Sequence, residues 1–596
     1  MKNLVCLDIE CYPNYFLIAF KGVKTGKHLQ VDTSTSFTVE QRKTINKMLS
    51  NYTTFGFNSN NYDLPLIHYA LEKATVRELY EASKNIIENN QPFYMTYRKL
   101  SIEQRNYDHF DISEPSPAVM ISLKNYGTRI GSPKLQDLPF DPHTPLKAEQ
   151  IQELKDYCEN DLNVTIDLYK AIEDRIALRV SMGEQYGLDL RSKSDAQIAE
   201  TVIASEIKKS SGKTISKPTL KANYKPKYKA PQWLRENASP LIESLLDVIE
   251  VIPFDLASNG AVKMPKELAN MKIEIGNTVY KMGIGGLHSQ EKSLSIESNE
   301  DSVMRNADFT SYYPFIILNN NLAPKHIGED FLKVYRSIVE TRLKAKAEGN
   351  KLVADSLKIT INGSFGKFGS KYSKLYSPDL LLATTITGQL SLLMVIEEME
   401  NHGISVVSAN TDGLEYFCPR DKVNLAETII LDLELISGFD MEHGEYKALH
   451  ARDVNNYVAV YDGYTKAKGI YAETTLSKGR STPIVYEAVR KYLLDGTPLS
   501  LTLMNCIDIN QFVSARTVKG GGVYDNEYLG KMVRWYYSLE SKGYISYKSN
   551  GNKVPKTDRA KPMMDLTNEI PSDLDYTWYL DEAVEALKNL GVDYVI

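Results

Sequence analysis

Two acidic residues, Asp308 and Asp412, stand where the sequence predicts that strands end. Asp308 closes a predicted strand over 302–309 and opens the segment 308–314, which reads Asp-Phe-Thr-Ser-Tyr-Tyr-Pro. Asp412 lies at the tip of a predicted hairpin, within the segment 408–413. Each segment alone also fits ordinary turn chemistry, because Asp caps helices and Asp-Gly favours hairpin turns. The functional alternative is a pair of carboxylates that face each other across the strand ends.

A predicted helix between these segments presents a cation, an amide and an aromatic ring on one face. Lys358, Asn362 and Phe365 stand at i, i+4 and i+7, so they share one side of the helix. A lysine and a planar ring suit the phosphates and the base of a nucleoside triphosphate. Arg342 and Lys346, at i and i+4 of the preceding predicted helix, would add positive charge. A solvated helix face is the alternative for that pair.

A second set of acids begins at the N-terminus. Asp8 and Glu10 alternate with Ile9 on a predicted strand, so both carboxylates point to the same side. An exposed strand face would explain the same pattern. Asp63 enters an apolar helix from the loop 58–65, where a helix cap is the simpler explanation.

The third part of this set is a helical pair. Tyr157 and Asp161 stand at i and i+4 and share a helix face, which also fits a polar surface stripe. Together the four carboxylates and the tyrosine predict a two-metal site. Two divalent ions about 3.5–4 Å apart would activate a water and stabilise the leaving oxygen of a phosphodiester.

Composition limits the class of protein that must position these residues. With 596 residues, 42% hydrophobic and 24% charged, the chain predicts two to four soluble globular domains. Its net charge of −6 argues against a basic nucleic-acid-coating protein but not against a nucleic-acid enzyme. We expect no signal peptide, no long apolar run and no membrane-spanning helix. Five scattered cysteines favour a reducing compartment.

The periodicity of apolar residues predicts the elements around the acids. They are strands over 3–9, 15–20 and 53–57, helices over 65–73 and 150–175, a helical pair over 331–349 and 352–361, a hairpin over 404–408 and 414–417, and mostly helices from 483 onward. The lysine- and proline-rich stretch 213–230 is either a solvated linker or an exposed basic strip.

These segments resemble a known family. Residues 308–314, 358–366 and 408–413 resemble motifs A, B and C of the family B DNA polymerases. The upstream acids resemble the three motifs of proofreading 3′–5′ exonucleases, and residues 282–289 resemble the glycine-bearing segment between the two domains. The resemblance covers nearly the whole chain and is closest to small bacteriophage polymerases.

The resemblance implies a multidomain α/β (α+β) fold. It has an N-terminal ribonuclease-H-like exonuclease domain and a right-hand polymerase domain with palm, fingers and thumb. The implied boundaries are exonuclease 1–190, connecting region 191–280, palm 281–330 and 373–470, fingers 331–372 and thumb 471–596.

The resemblance also implies roles at two sites that each hold two Mg²⁺ ions, for which Mn²⁺ could substitute. The polymerase metal ligands would be Asp308, Asp412 and the backbone carbonyl of Phe309. The nucleotide-binding residues would be Arg342, Lys346 and Lys358 at the triphosphate, Asn362 and Phe365 at the pocket wall, and Tyr313 under the sugar, where it excludes a 2′-hydroxyl. The exonuclease metal ligands would be Asp8, Glu10, Asp63 and Asp161, with Tyr157 orienting the water and either Lys124 or Lys134 near the phosphate. DNA contacts would come from Asn58, Gly285, Gly286, Tyr457, Lys468 and Lys519.

The sequence departs from the family pattern at several positions. Asn410 replaces the first motif C aspartate, so we expect retained activity with an altered metal preference. Gly363 and Phe365 replace a serine and a tyrosine of motif B. Asn455-Asn456-Tyr457 replaces a Lys-x-Tyr motif, whose lysine role would pass to Lys466 or Lys468.

Two further expectations concern DNA handling. Only 44 residues separate Pro314 from Lys358, which leaves no room for the insertion of protein-primed relatives. We therefore expect a nucleic-acid primer, with limited strand displacement and processivity. In the thumb, residues 516–522 offer glycine amides and two cations to a phosphate backbone, and 528–537 reads as a helix. A plain loop and a packed helix are the alternatives there.

The resulting prediction is a template-directed DNA polymerase with 3′–5′ proofreading that replicates a bacteriophage genome. Its substrates would be primer–template DNA and dNTPs, and its partners a phage helicase, primase or single-strand binding protein. We expect a monomer in the host cytoplasm, with no membrane contact. The competing hypotheses are an exonuclease whose second half only binds DNA, supported by Asn410, and a non-catalytic replication scaffold.

Overall fold

The computed structural model describes residues 3–90, 92–118, 121–479 and 481–595. The chain divides into two compact units that interleave along the sequence. The first unit comprises Met1–Ser194, Thr474–Pro483 and Cys506–Trp578, and the second comprises Asp195–Glu473, Ile484–Asn505 and Tyr579–Ile596. The predicted thumb is therefore divided between both units.

Within the residues that the structure describes, the N-terminal part of the first unit contains five strands and seven α-helices. In chain order these are β1 (Leu4–Tyr12), β2 (Tyr15–Gly22), β3 (His28–Thr33), α1 (Val39–Asn51), β4 (Thr53–Gly56), α2 (Asp63–Leu71), α3 (Val76–Asn89), α4 (Phe93–Leu100), β5 (His109–Asp111), α5 (Leu123–Ile130), α6 (Ile151–Ala171) and α7 (Glu173–Tyr186).

The second unit begins with a long mixed segment. In chain order it contains α8 (Asp195–Ser211), α9 (Gln232–Glu236), α10 (Pro240–Ile249), β6 (Asp255–Leu256), β7 (Val262–Lys263), α11 (Lys266–Ala269), β8 (Ile273–Ile275), β9 (Thr278–Met282), β10 (Leu287–Ser289), β11 (Leu294–Glu297), β12 (Ser302–Phe309), α12 (Tyr312–Asn319), α13 (Glu329–Ala347), α14 (Lys351–Phe368), α15 (Pro378–Asn401), β13 (Ser405–Asn410), β14 (Gly413–Pro419), α16 (Val423–Ser437), β15 (Met441–Tyr446), β16 (Ala448–Asp453), β17 (Asn456–Val460) and β18 (Thr465–Ala467).

The C-terminal part of the chain supplies elements to both units. They are α17 (Pro483–Asp495), α18 (Leu499–Asn505), β19 (Ser514–Tyr524), β20 (Glu527–Tyr537), β21 (Ser546–Tyr547), β22 (Ala560–Pro562) and α19 (Tyr576–Asn589). The chain is thus a mixed α/β multidomain protein, as the sequence predicts.

The N-terminal sheet of the first unit has the strand order β3-β2-β1-β4-β5. β1, β2 and β3 pair antiparallel, whereas β1, β4 and β5 run parallel. The sheet is therefore mixed, with an antiparallel half (β1–β3) and a parallel half (β1, β4 and β5) that share the central strand β1. Both faces are covered, because α2 and α3 pack with Leu7 and Ile9 on one side and α6 packs with Cys6 on the other. The central strand β1 is therefore packed on both faces, which fixes the positions of Asp8 and Glu10.

The C-terminal strands contradict the helix predicted over 528–537. These residues lie in β20, which pairs antiparallel with β19 in a four-stranded sheet. The helical prediction from 483 onward is therefore confirmed for α17, α18 and α19 and wrong for the strands β19 to β22 between them. Asp525 and Asn526, both with positive φ, form the two-residue turn between the strands. Aromatic and β-branched residues near the end of β20 favour a strand, and this preference outweighed the helical spacing of its charges.

The second unit is built on a seven-stranded sheet of order β15-β12-β14-β13-β10-β9-β8. β12 pairs antiparallel with β14 on one side and with β15 on the other. The strand predicted over 302–309 is confirmed, and the helical pair predicted over 331–349 and 352–361 is confirmed as α13 and α14. The segment 308–314 thus begins at the end of an interior strand of this sheet.

The helix α15 corrects the expectation that the chain has no long apolar run. Within the described residues it is the one helix long and apolar enough to cross a membrane, with a mean hydropathy of 1.6. However, 83% of that apolar window is buried inside the fold, as in the core helix of a soluble protein. Its side chains pack against α12 and α16.

Candidate active sites

The second unit brings Asp308 and Asp412 together at the ends of adjacent strands. Asp308, at the end of β12, is the register partner of Gly413, the first residue of β14. The backbone N–H of Phe309 donates to the carbonyl of Asp412 at 2.7 Å. A Cβ on Gly413 would overlap Oδ1 of Asp308, so only glycine leaves room for that carboxylate. The structure therefore brings the two acids to neighbouring positions, and their joint role stays a prediction.

The turn that carries Asp412 is strained. Thr411 and Asp412 form a two-residue connection between the paired residues Asn410 and Gly413. Thr411 has φ of +60°, which is unusual for a β-branched residue and costs on the order of 1–3 kcal/mol. Its N–H donates to the carbonyl of Leu287 at 2.9 Å, which holds the turn against β10. Strain of this kind is typical of a functional turn.

The two tyrosines of motif A have different environments. Tyr312 is buried, stacks on Phe309 with ring centroids 3.8 Å apart, and donates to the carbonyl of Gly388. Tyr313 instead donates to the carbonyl of Gly285 at 2.6 Å and stacks on Phe365 at 4.3 Å. Tyr312 is therefore a core residue, and Tyr313 is the tyrosine that a ligand can contact.

One pocket of about 570 Å³ collects the predicted nucleotide-binding residues. Its walls include Tyr313, Arg342, Lys346, Lys358, Asn362, Phe365 and Asp412. Arg342 donates to Oγ of Ser311 at 2.7 Å, and Lys346 pairs with Glu442 at 3.0 Å across exposed surface. An exposed pair of this kind is weak, so Lys346 remains available to an anionic ligand.

Electrostatics at the two aspartates favour a bound cation. Burial raises the pKa of Asp308, opposed by a hydrogen bond from Asn306 and by the charges of Lys466 and Lys468. Burial also raises the pKa of Asp412, and the charge of Asp308 adds to this effect. A divalent cation between the two aspartates would offset both the cost of burying their charges and the repulsion between them. Carboxylate oxygens are also the ligands that Mg²⁺ prefers.

Several polar residues beside this pair were not predicted. Glu442 of β15 is the other register partner of Asp308 and lines the pocket. Glu415 of β14 pairs in register with Asn306 and Ser408, and burial raises its pKa to about 8 with a further contribution from Asp308. Only the strand register reveals them, since neither acid belongs to a recognisable motif.

Three departures from the motif patterns, at Asn410, at Gly363 and at the missing lysine, have a local counterpart in the structure. The side-chain amide of Asn410 donates to the carbonyl of Val454 at 3.3 Å, which an ionised aspartate could not do. A Cβ on Gly363 would overlap the carbonyl oxygen of Asp195 and lie 2.8 Å from its carbon. Two lysines lie near the acids in place of the missing one. The charges of Lys466 and Lys468 lower the pKa of Asp308, and the charge of Lys468 also lowers the pKa of Asp412 and of Glu415.

Four predicted DNA contacts of the second unit lie close to this pocket. The N–H of Lys468 donates to the carbonyl of Tyr457 at 2.9 Å, which joins β18 to β17. Gly286 lies so close to Thr411 that a Cβ would be 2.7 Å from its hydroxyl, whereas Gly285 has open space. Their proposed contact with DNA stays a prediction.

The first unit gathers the other acids around β1 and α6. Ligand atoms of Asp8, Glu10 and Cys158 lie within 4.8 Å of one another. The thiol of Cys158 faces Oδ2 of Asp8 at 3.8 Å, a neighbour that the sequence did not single out. Asp63 begins α2 with its carboxylate buried, and its Oδ1 has no hydrogen-bond partner.

The carboxylates of this site repel one another. Burial raises the pKa of Asp8 well above its usual value, with Asp63, Glu10 and Asp161 adding to the effect. Burial raises the pKa of Glu10 as well, and it raises that of Asp63 to about 7 and that of Asp161 to about 6. The unpartnered oxygen and the mutual repulsion fit divalent metal ions held by oxygen ligands.

The structure separates the two candidate lysines. The Lys124 Nζ atom lies 4.9 Å from the ring centroid of Tyr157 and pairs with Asp137 at 3.3 Å. Its charge lowers the pKa of Glu10 and of Asp161. Lys134 instead forms a β-bridge with Asp565. Lys124 is therefore the cation at this site.

The loop before Asp63 is held by an acid that the sequence did not single out. Asp111 is 2% exposed and accepts the backbone N–H groups of Asn58 and Asn60, both at 2.9 Å. Asn58 has φ of +58°, so it shapes the turn. Lys519, the remaining predicted DNA contact, is exposed on β19.

Comparisons with known proteins give partial matches. No family model matches the chain. The chain is similar to DNA polymerase 1 of Saccharolobus solfataricus (26% identical over 222 residues, 36% of this chain and 22% of that protein). It is also similar to DNA polymerase 1 of Sulfolobus acidocaldarius (26% over 181 residues, 29% and 19%). The chain therefore spans about a fifth of the length of these relatives. These matches support a relationship to DNA polymerases.

A third match covers most of a short protein. The uncharacterized mitochondrial protein ymf34 of Marchantia polymorpha is 40% identical over 74 residues, which are 12% of this chain and 93% of that protein. This chain belongs to the same family as ymf34. Among solved structures, the family B DNA polymerase of Pyrobaculum calidifontis aligns with 13% identity and a TM-score of 0.39, over all of this chain and 79% of that one.

Proposed function

We propose that this protein is a family B DNA polymerase that extends a primer 3′ end and also removes nucleotides by a 3′–5′ exonuclease. The observation that carries the polymerase part is the 570 Å³ pocket, where residues of motifs A, B and C and of α13 meet. The archaeal relatives, which are named DNA polymerases, support the same assignment.

At the polymerase site, Asp308 and Asp412 would hold Mg²⁺ ions together with the carbonyl of Phe309. The bound ions would lower the pKa of the primer 3′-hydroxyl and stabilise the leaving pyrophosphate. Lys358, with Arg342 and Lys346, supplies positive charge for the triphosphate.

The floor of the nucleotide pocket is an aromatic stack. Tyr313 and Phe365 lie 4.3 Å apart, and the Tyr313 hydroxyl is tied to the carbonyl of Gly285. A ring fixed at both ends cannot move aside for a larger sugar. We propose that this rigidity excludes the 2′-hydroxyl of ribonucleotides.

At the exonuclease site, Asp8, Glu10, Asp63 and Asp161 would hold the metal ions. Bound Mg²⁺ would activate a water for attack on the terminal phosphodiester. The Tyr157 hydroxyl, hydrogen-bonded to Asp161, orients that water. Lys124 neutralises the phosphate charge that develops.

The biological setting is part of the proposal. We propose that the enzyme acts as a monomer in the cytoplasm of a host cell and replicates a bacteriophage genome, with a helicase, primase or single-strand binding protein as partners. Between Pro314 and Lys358 the chain contains only the rest of α12, α13 and the start of α14. This supports a nucleic-acid primer and limited strand displacement.

A primer-extension assay tests the proposal. With Mg²⁺, a 5′-labelled primer on a template should lengthen only when the complementary dNTP is supplied, and should shorten when dNTPs are absent. Shortening under both conditions would leave only the exonuclease. No change under either condition would refute both activities.

A further inference from the structure

The basic stretch that the sequence analysis left open lies on the second unit. Residues 213–229 contain six lysines and no acid. Pro226 and Tyr228 are buried, while Lys225, Lys227 and Lys229 between and beside them are exposed. The Tyr228 hydroxyl contacts Oγ1 of Thr387 on α15 at 3.0 Å. The stretch is therefore anchored on the core rather than being a free linker.

This alternation presents three ammonium groups in a row. In an extended chain, alternate residues lie about 6.6 Å apart on one face. Lys227 and Lys229 have no carboxylate within ion-pair distance in the part of the chain that the structure describes. Lys225 pairs with Asp255 at 3.2 Å. Lys227 and Lys229 thus place two positive charges, without ion-pair partners among the described residues, along one packed segment, which we call the basic track.

The track forms one wall of a groove of about 1120 Å³. Its lining contains four lysines against two acids, Glu236 and Asp379, so it carries a net charge of 4 − 2 = +2. Asp379 is already engaged by Lys325 at 2.8 Å and by the Tyr224 hydroxyl. The groove is thus complementary to an anion.

The lining of the groove also includes an aromatic ring and several side-chain amides. Trp233 is half-buried and donates from Nε1 to Oδ1 of Asn320 at 3.0 Å. Its ring packs edge-on against Phe439 at 5.7 Å. Phe439 in turn packs edge-on against Phe309 and Tyr312 of motif A, at 5.8 and 5.5 Å. The groove is therefore in packed contact with the strand end that carries Asp308.

We propose that this groove binds single-stranded DNA, as a site for the unpaired template strand. A line of cations beside an aromatic ring and side-chain amides is the combination used to bind single strands without reading sequence. Lys227 and Lys229 contact successive phosphates, and a base stacks on Trp233. The identity of the strand as template rests on the proposed polymerase function, whereas binding of a single strand does not.

Anisotropy titrations of the full-length protein in EDTA test the site. The probes are a labelled blunt duplex and the same duplex with a 5′ template overhang of about ten nucleotides. The wild type should bind the overhang duplex more tightly, and Lys227→Gln/Lys229→Gln should weaken that binding about tenfold while leaving the blunt duplex unchanged. Loss of two phosphate contacts should also reduce the salt slope of the overhang complex by about 1.4.

The matched control is Lys292→Gln/Lys588→Gln, which removes the same charge from exposed lysines of the same unit outside the groove. Equal losses in both double variants would overturn the proposal, since they would indicate general charge attraction. Displacement of the overhang duplex by poly-glutamate as readily as by oligo-dT would also overturn it, in favour of an acidic peptide.

Tryptophan fluorescence supplies a second readout. The chain has three tryptophans, so Trp233→Phe should remove the quenching caused by oligo-dT if a base stacks there. Unchanged quenching in this variant would contradict the stacking contact. Trp578→Phe is the control, because Trp578 stacks on Tyr537 in the first unit.

Failure of the site and failure of the polymerase function are distinguishable. On a template with a one-nucleotide overhang, which is too short to occupy the groove, Lys227→Gln/Lys229→Gln should incorporate one dNTP at the wild-type rate. Loss there would place the lysines in the catalytic site and overturn the proposal. A wild type that binds the overhang but never incorporates would refute only the polymerase function.

Discussion

Restoring a side chain at Gly363 should destabilise the protein, although the related motif carries serine at this position. A Cβ there would overlap the carbonyl oxygen of Asp195 and lie 2.8 Å from its carbon and 3.0 Å from the Cα of Ala196. All three atoms belong to backbone at the start of α8, so they cannot move aside cheaply. Overpacking of this kind costs about 1–3 kcal/mol, and we expect Gly363→Ala to lose that much.

The same helix provides the control. Gly366, also in α14, has no atom within 4 Å of a Cβ position. Gly366→Ala should therefore stabilise the helix by up to about 1 kcal/mol, because glycine is the poorer helix former. The two variants add the same methyl group to the same helix but should shift the free energy of unfolding in opposite directions. The difference between them therefore reports the contact with α8.

Thermal unfolding followed by circular dichroism checks the pair. At about 2–4 °C per kcal/mol for a large domain, Gly363→Ala should melt several degrees below Gly366→Ala. Because Gly363 adjoins Asn362, dNTP incorporation should fall in the same variant. Equal melting temperatures, or a more stable Gly363→Ala, would refute the packing of α8 against motif B.

Three further predictions concern the sites themselves. Tyr313→Ala should reduce discrimination against ribonucleotides by at least about tenfold, measured as the ratio of kcat/KM for a dNTP and its rNTP; unchanged discrimination would place the sugar check elsewhere. Lys124→Met should slow primer degradation about 100-fold in single-turnover assays while Lys134→Met leaves it unchanged, and the reverse order would contradict the assignment of Lys124. In EDTA, buried Asp63 and Asp161 keep protons that they lose when unfolded, since burial raises the pKa of Asp63 to about 7 and that of Asp161 to about 6. The folded state thus binds more protons than the unfolded state, so the Tm should fall as the pH rises from 4 to 7, and more steeply in the wild type than in Asp63→Asn. Equal slopes in the two proteins, or a wild-type slope that Mg²⁺ does not change, would contradict this.

Much of the second unit follows from local sequence signals. The strand predicted over 302–309 ends at a turn, and the structure gives it the same limits. The spacing of Lys358, Asn362 and Phe365 defines one helix face, and all three line the pocket. Periodicity and turn chemistry are sufficient for such elements because tertiary contacts agree with them.

Other features depend on contacts between distant parts of the chain. Glu442 and Glu415 join the site of Asp308 and Asp412 only through the register of β12 with its two neighbours. The choice between Lys124 and Lys134 depends on Tyr157, which lies on a different helix. Local sequence carries no information about such pairings, because an acid or a lysine at a site looks the same in the sequence as one elsewhere on the surface.

The error at β20 has a different cause. Arg534 is 1% exposed and donates to the carbonyls of Ser132, Pro133, Met563 and Met564. The charge of Arg534 therefore serves the packing of the first unit and does not mark a solvated helix face. Asp525 and Asn526, whose residue types tolerate positive φ, are the sequence signal for the turn that joins β19 to β20.

The central claim is that two separate carboxylate sites perform opposite reactions on one primer. A single gel that follows a 5′-labelled primer with Mg²⁺ and all four dNTPs tests it with two variants. Asp412→Ala should shorten the primer without extending it, and Asp63→Ala should extend it without shortening it. Loss of both activities in either variant, or retained extension in Asp412→Ala, would contradict the account.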